Sequence, residues 1–257
     1  MAEIVHTEEV MGTVVSFHVE APTLTESELW EAVTTSTALL HRDDETFSTW
    51  KPESPMSRLR RGELRLEDAP AEVAEVLDLC EAARTLSQGW FDAFSVPGGV
   101  DPTGLVKGWS LERALAVLVD AGISSAVVNG GGDIACHGEP IQGGPWRIGV
   151  RHPWRADALA AVVEVDRAIA TSGEYERGRH LFDPIGRVGP PPASATVTGP
   201  SLTLADALAT AVAVGGTEAF DIVASIDGYD AYLIGADGSE LATSGIRFSD
   251  ADPDERD

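Results

Sequence analysis

Basic residues are scarce in this 257-residue chain: 18 Lys and Arg stand against 42 Asp and Glu, a formal net charge of −24. A surface this acidic repels phosphate backbones and anionic lipid, which excludes nucleic acid and charged membrane surfaces as partners. Cysteine is almost absent. Cys80 and Cys136 lie in separate segments, with no Cys-x-x-Cys or metal-ligand spacing, and Cys80, on an expected helix, reads as a small buried hydrophobe. No run approaches the roughly 20 apolar residues that a spanning helix needs, so membrane insertion is not expected. The first ten residues carry no basic n-region, apolar h-region or small-residue cleavage site, which gives the expectation of a cytoplasmic protein. Hydrophobic residues at 43% and charged residues at 23% are ordinary globular usage and exclude global disorder.

The pattern alternates strands and helices without a repeat or long linker. Residues 11–20, with Val14, Val15, Phe17 and Val19, read as a strand, and 25–40 as a helix. A polar, irregular stretch is expected over 43–55. A second helix follows, with Asp68 as N-cap, Pro70 in its first turn, and Val73, Val76, Leu77 and Cys80 along one face. A third is expected over 106–121, strands at 125–129, 146–150, 160–165, 168–171 and 195–198, and helices at 202–214 and 217–226. Asp237-Gly238 marks a closing hairpin between 231–234 and 240–243. The reading is α+β, with mixed or antiparallel sheets and flanking helices: one domain over 1–248 and an acidic tail over 249–257.

Four segments carry possible chemistry. Residues 101–108 (DPTGLVKG) set an acid, a turn and Lys107 before a helix; this is either an anion site built on helix N-terminal amides or a solvated helix start. Residues 129–133 (NGGGD) follow a strand, and either let a ligand approach the backbone or form a tight strand-to-strand turn. Asp206 and Thr210 are four apart on one helix face. They offer oxygens to a hard cation such as Mg2+, or else serve the helix dipole and a local backbone bond. His180, near Asp183-Pro184, has the type and setting of a general base; the other five histidines read as surface or packing residues.

Taken in order, these segments resemble the ApbE family, the FAD:protein FMN transferases. The resemblance rests on Met11-Gly12-Thr13, Phe47-Ser48-Thr49-Trp50, Ser57-Arg58-Leu59, Gly89-Trp90-Phe91-Asp92 and the loop from Asp101 to Lys107-Gly108. It continues through Asn129 to Asp133, Thr171-Ser172-Gly173, His180 to Pro184 and Ala205 to Thr210. Thr103 stands where the family pattern has Gly, and the loop 186–193 is unusually rich in proline.

The resemblance implies a T-fold-like domain and a Mg2+-dependent transferase. Such an enzyme cuts FAD at its pyrophosphate, joins FMN through a phosphoester to a Thr or Ser hydroxyl of an acceptor protein, and releases AMP. Carried over by position, Asp206, Thr210 and the Gly104 carbonyl would hold the metal. Met11 and Trp50 would bracket the flavin or adenine ring. Trp90, Phe91, Asp92, Asp101 and Lys107 would hold FAD, together with Asn129, Gly131, Gly132, Asp133, Ser172 and Phe182. His180 would take the acceptor's proton, with Asp206 beside it in the catalytic set. The alternatives are a Mg2+-dependent FAD pyrophosphatase and a flavin carrier without turnover; Lys107, His180, Asp206 and Thr210 argue against the carrier. FAD is an anion, so the bulk charge opposes binding. Lys107, helix amides and Mg2+ are the expected means of local reversal.

Overall fold

The computed structural model describes residues 2–173 and 182–249. Among the described residues, ten strands form two sheets in which every pairing is antiparallel. The larger has eight strands in the order β1-β2-β3-β4-β7-β8-β9-β10, namely β1 (Ala2–Val10), β2 (Thr13–Ala21), β3 (Ser125–Gly130), β4 (Asp133–His137), β7 (Ala168–Ser172), β8 (Ser194–Gly199), β9 (Asp230–Ile234) and β10 (Glu240–Ala242). Between β4 and β7 the chain leaves to form the pair β5 (Trp146–Arg151) and β6 (Leu159–Val165). The described helices are α1 (Glu26–Phe47), α2 (Pro55–Arg60), α3 (Ala71–Leu86), α4 (Thr103–Asp120), α5 (Leu202–Gly215) and α6 (Thr217–Ala224).

Strand alternation separates two hydrophobic clusters. Ala135, Ala168, Ala170, Ala231 and Leu233 face the helices; Ile134, Cys136, Ile169, Tyr232 and Ile234 face β5 and β6. The small residues on the helix side let α5 lie close to the sheet. Twelve of the 14 residues of α5 are buried, leaving Leu204 and Thr210 part-exposed. A helix apolar on nearly every side belongs inside a fold, so the buried Asp206 within it is conspicuous.

Local physics explains where element ends differ from the sequence reading. Ala2–Val10 form β1, paired with β2 across a turn at Met11 (φ 54°) and Gly12 (φ 68°). His6 and Glu8 interrupt the apolar alternation of Ile4 and Val10, which hides the strand. Thr25 caps α1, accepting from the Glu28 N–H while the Glu28 carboxylate accepts from the Thr25 N–H at 2.8 Å. That helix runs on to Phe47 because Asp43 continues the buried face, ion-paired to Arg113 at 2.8 Å. Asp68 is not the N-cap of α3; it ends a short 3-10 turn, and Pro70 takes the cap position. Helix α4 begins at Thr103, three residues before the expected start, because the Asp101 carboxylate accepts its N–H at 3.1 Å.

Candidate functional site

Helices α4 and α5 run antiparallel and touch at three levels. A Cβ added at Gly104 would lie 3.5 Å from the Thr210 hydroxyl, and one at Gly108 only 2.6 Å from the Leu202 carbonyl and 2.9 Å from Asp206 Cβ. One turn on, the Glu112 carboxylate accepts from Ser201 Oγ (2.9 Å), Thr203 N–H (3.1 Å) and Thr203 Oγ1 (2.6 Å). Glu112 thus caps α5 from the neighbouring helix. The two glycines permit the contact, and it brings the backbone of α4 against the polar side of α5. The Gly108 N–H donates to Asp206 Oδ2 at 2.9 Å. In an unmodified helix that N–H serves the carbonyl of Gly104, so the carboxylate competes with that carbonyl for it.

A cavity of 140 Å³ opens over this contact. Gly104, Lys107, Asp206 and Thr210 line its floor, Trp90, Phe91, Asp92 and Asp101 one wall, and Ser172 and Phe182 another. Trp90 and Phe91 are buried. Gly215 leaves room for the Trp90 ring, which a Cβ there would meet at 2.5 Å. The Asp92 carboxylate accepts from the N–H groups of Phe94 (2.8 Å) and Ser95 (3.2 Å) and from Ser95 Oγ (2.6 Å), which fixes the loop. Asp101 is held by Arg60 at 2.9 Å. Ser172 Oγ lies 3.4 Å from Thr210 Oγ1.

Asp206, Thr210 and Gly104 line one cavity and offer it a carboxylate, a hydroxyl and a helix carbonyl. All are hard donors, suited to Mg2+ with waters or phosphate completing its shell. Asp206, a buried carboxylate on an apolar helix, fits a cation better than it fits packing. The donor set therefore fits the metal that the resemblance implies.

Asp133 has no exposed surface. Its Oδ2 is ion-paired with Lys107 Nζ and its Oδ1 accepts the Thr171 N–H at 3.2 Å. Asn129, Gly131 and Gly132 form the tight β3–β4 turn, closed by Gly132 N–H to Asn129 Oδ1 at 3.0 Å. The same turn borders a second cavity of 660 Å³ with Thr13 and Arg151, and Thr171 lines both cavities.

Trp50 is 93% exposed, and neither it nor Met11 lines either cavity. His180 lies outside the described residues. Burial acts to raise the Asp183 carboxyl, but the N–H groups of Ile185, Gly186 and Arg187 outweigh it and hold the group below the usual carboxylate range. Burial pushes the Cys80 and Cys136 thiols up to about 12, so both stay protonated and unreactive. Arg60 and Glu112 have no role in the sequence reading, and Gly108 enters it only as the end of the 101–108 motif, not as a helix contact. Their partners are distant in the chain; only the Gly-x-x-x-Gly spacing of Gly104 and Gly108 signals a close helix contact.

The ApbE family model matches residues 11–97 and 95–233. The chain is 36% identical over 154 residues to a protein named FAD:protein FMN transferase from Rhodobacter capsulatus, covering 55% of this chain and 29% of that protein. It is 28% identical over 158 residues to the protein of the same name from Salmonella typhimurium, covering 56% and 45%. These matches span less than half the length of the curated relatives. Among solved structures, the flavin transferase ApbE from Vibrio cholerae gives a TM-score of 0.80 at 21% identity, over 94% of this chain and 97% of that one. The apbe protein from Thermotoga maritima gives 0.78 at 20% identity, over 94% and 97%. At these identities the likeness is one of fold.

Proposed function

The chain belongs to the ApbE family, and from that premise we propose that it is a Mg2+-dependent FAD:protein FMN transferase whose residues 1–248 act as one catalytic unit. The observation that carries the reading is the meeting of Gly104, Asp206 and Thr210 on two antiparallel helices, with Lys107 on the same cavity floor. Phosphoryl transfer from a pyrophosphate asks for charge neutralisation and positioning before anything else.

Bound by those three oxygens, Mg2+ would neutralise the pyrophosphate and help its phosphorus accept a nucleophile. Lys107 directs an ammonium at the same anion. An acceptor Thr or Ser hydroxyl attacks the phosphorus on the FMN side; the new P–O bond forms as the bond to the bridging oxygen breaks, and AMP leaves. His180 takes the hydroxyl proton. Trp90 and Phe91 close one wall against water. Thr171 lines both cavities, and an extended dinucleotide would set its pyrophosphate over α4 and α5 and one ring beside the Asn129–Gly132 backbone. Trp50 and Met11 would bracket the other ring, and the open face of Trp50 supports this. Partners are thus FAD and a protein bearing a flavinylation site. Among the described residues no helix is long and apolar enough to cross a membrane, and two unpaired buried cysteines support a cytoplasmic place of work.

The test is intact mass spectrometry of an acceptor domain incubated with the protein, FAD and Mg2+. Gain of one FMN by the acceptor, with an equal amount of AMP released, is the expected result. Free FMN and AMP without an adduct would replace the transferase by a pyrophosphatase, and FAD binding without turnover would replace it by a carrier.

A further inference from the structure

Lys107 is the basic side chain that the described residues place on the cavity floor, and it does not stand there as an uncompensated charge. Its ammonium is ion-paired with Asp133, which is wholly buried, while the Lys107 side chain keeps 15% of its surface exposed. A carboxylate with no exposed surface needs a counter-charge and donors. Lys107 supplies the first, and the Thr171 N–H the second. Arg60, the other basic group near this wall, is matched in the same way by Asp101. Of the charged side chains lining the cavity, Lys107 and Asp101 are each met by an opposite charge that does not itself line it, Asp133 and Arg60, while Asp92 and Asp206 add carboxylates, inside a chain of net charge −24.

The geometry points to Asp133 as a positioning residue: we propose that it fixes the Lys107 ammonium at the cavity wall and cancels its charge, so that FAD binds firmly only together with a divalent cation. This rests on the reading of the cavity as the FAD pyrophosphate site. Asp133 lines neither cavity and acts through Lys107 and Thr171. The arrangement makes the ammonium a directed donor rather than a general attractor of anions. Net attraction then has to come from the cation held by Gly104, Asp206 and Thr210. A nucleotide arriving without metal meets a neutral pair instead of a positive charge.

The experiment is FAD titration by flavin fluorescence, with EDTA and with Mg2+, on the wild-type chain, D133N and K107M/D133N. Asn keeps the acceptor for the Thr171 N–H and removes the negative charge. D133N is expected to bind FAD in EDTA at least about fivefold more tightly than wild type, the low end of ordinary coupling between groups. The double variant should lose that gain. A merely structural role for Asp133 would weaken binding, so unchanged or weaker FAD affinity of folded D133N in EDTA overturns the proposal. Should D133N fail to fold, K107M/D133N decides, since replacing both members of the pair leaves no buried charge without its partner. Its FAD affinity in EDTA should fall by no more than about tenfold; a larger loss overturns the cancellation of charge. Wild type that fails to bind FAD even with Mg2+ would instead refute the proposed function.

Discussion

Replacing Gly108 by Ala tests how the two helices build the floor proposed to hold the metal. The added Cβ would stand 2.6 Å from the Leu202 carbonyl oxygen, where ordinary contact begins at 3.4 Å, and 2.9 Å from Asp206 Cβ. Both neighbours belong to α5, and the nearer is backbone, so relief requires the helices to part by close to 1 Å. Overpacking of this kind costs about 1–3 kcal/mol. The separation also stretches the 2.9 Å bond from the Gly108 N–H to Asp206 Oδ2, and a hydrogen bond to a charged group contributes about 1.5–3 kcal/mol. Ala is the better helix former by about 1 kcal/mol, which offsets part of this. The net loss is about 2–4 kcal/mol. At roughly 2–4 °C per kcal/mol for a chain of this size, the melting temperature should fall by about 5–15 °C. Because Asp206 loses its orienting donor, Mn2+ affinity measured by the loss of the free-ion EPR signal should fall as well. A variant that melts within 2 °C of wild type and binds Mn2+ equally well would refute the claim that this contact shapes the site.

Two further outcomes follow from the same packing. Glu112→Ala removes three contacts to the start of α5; with the cap lost, stability should drop by about 2 kcal/mol in urea denaturation, and no change would contradict the cross-helix cap. At Asp43, burial outweighs the nearby Arg113 and raises the carboxyl above its ordinary value of 3.8. The folded state then holds that proton to higher pH than the unfolded chain, so this group's contribution to stability declines as pH rises from about 4 and levels off above the folded-state pKa. Asp43→Asn lacks that decline, and parallel stability curves for the two proteins over pH 3.5 to 7 would show the sign to be wrong.

Periodic elements were legible from sequence because their burial is local. The helix carrying Val73, Val76 and Cys80 and the strand carrying Phe17 and Val19 each repeat at their own period, and they appear where the pattern puts them. What stayed hidden depends on partners far along the chain. The end of α1 is invisible without Arg113, which lets Asp43 continue a buried face. Asp206 and Thr210 remain ambiguous as a spaced pair; the approach of Gly104 and Gly108 gives them a setting. The role of Lys107 changes most. From its spacing it belongs either to an anion site or to a solvated helix start, whereas the fold pairs it with Asp133 at the start of β4. Arg60 and Glu112 give no local signal, since what they hold lies 41 and about 90 residues away.

The central claim is that one divalent cation sits between Gly104, Asp206 and Thr210. Anomalous scattering from crystals of the protein grown with FAD and Mn2+ tests it most directly. The account predicts an anomalous peak bonded to the Asp206 carboxylate, the Thr210 hydroxyl and the Gly104 carbonyl, with the FAD pyrophosphate beside it. A peak instead at Glu3, His18 and Glu20 on the outer face of β1 and β2, where ligand atoms lie within 4.8 Å of one another, with none over α4 and α5, would contradict it.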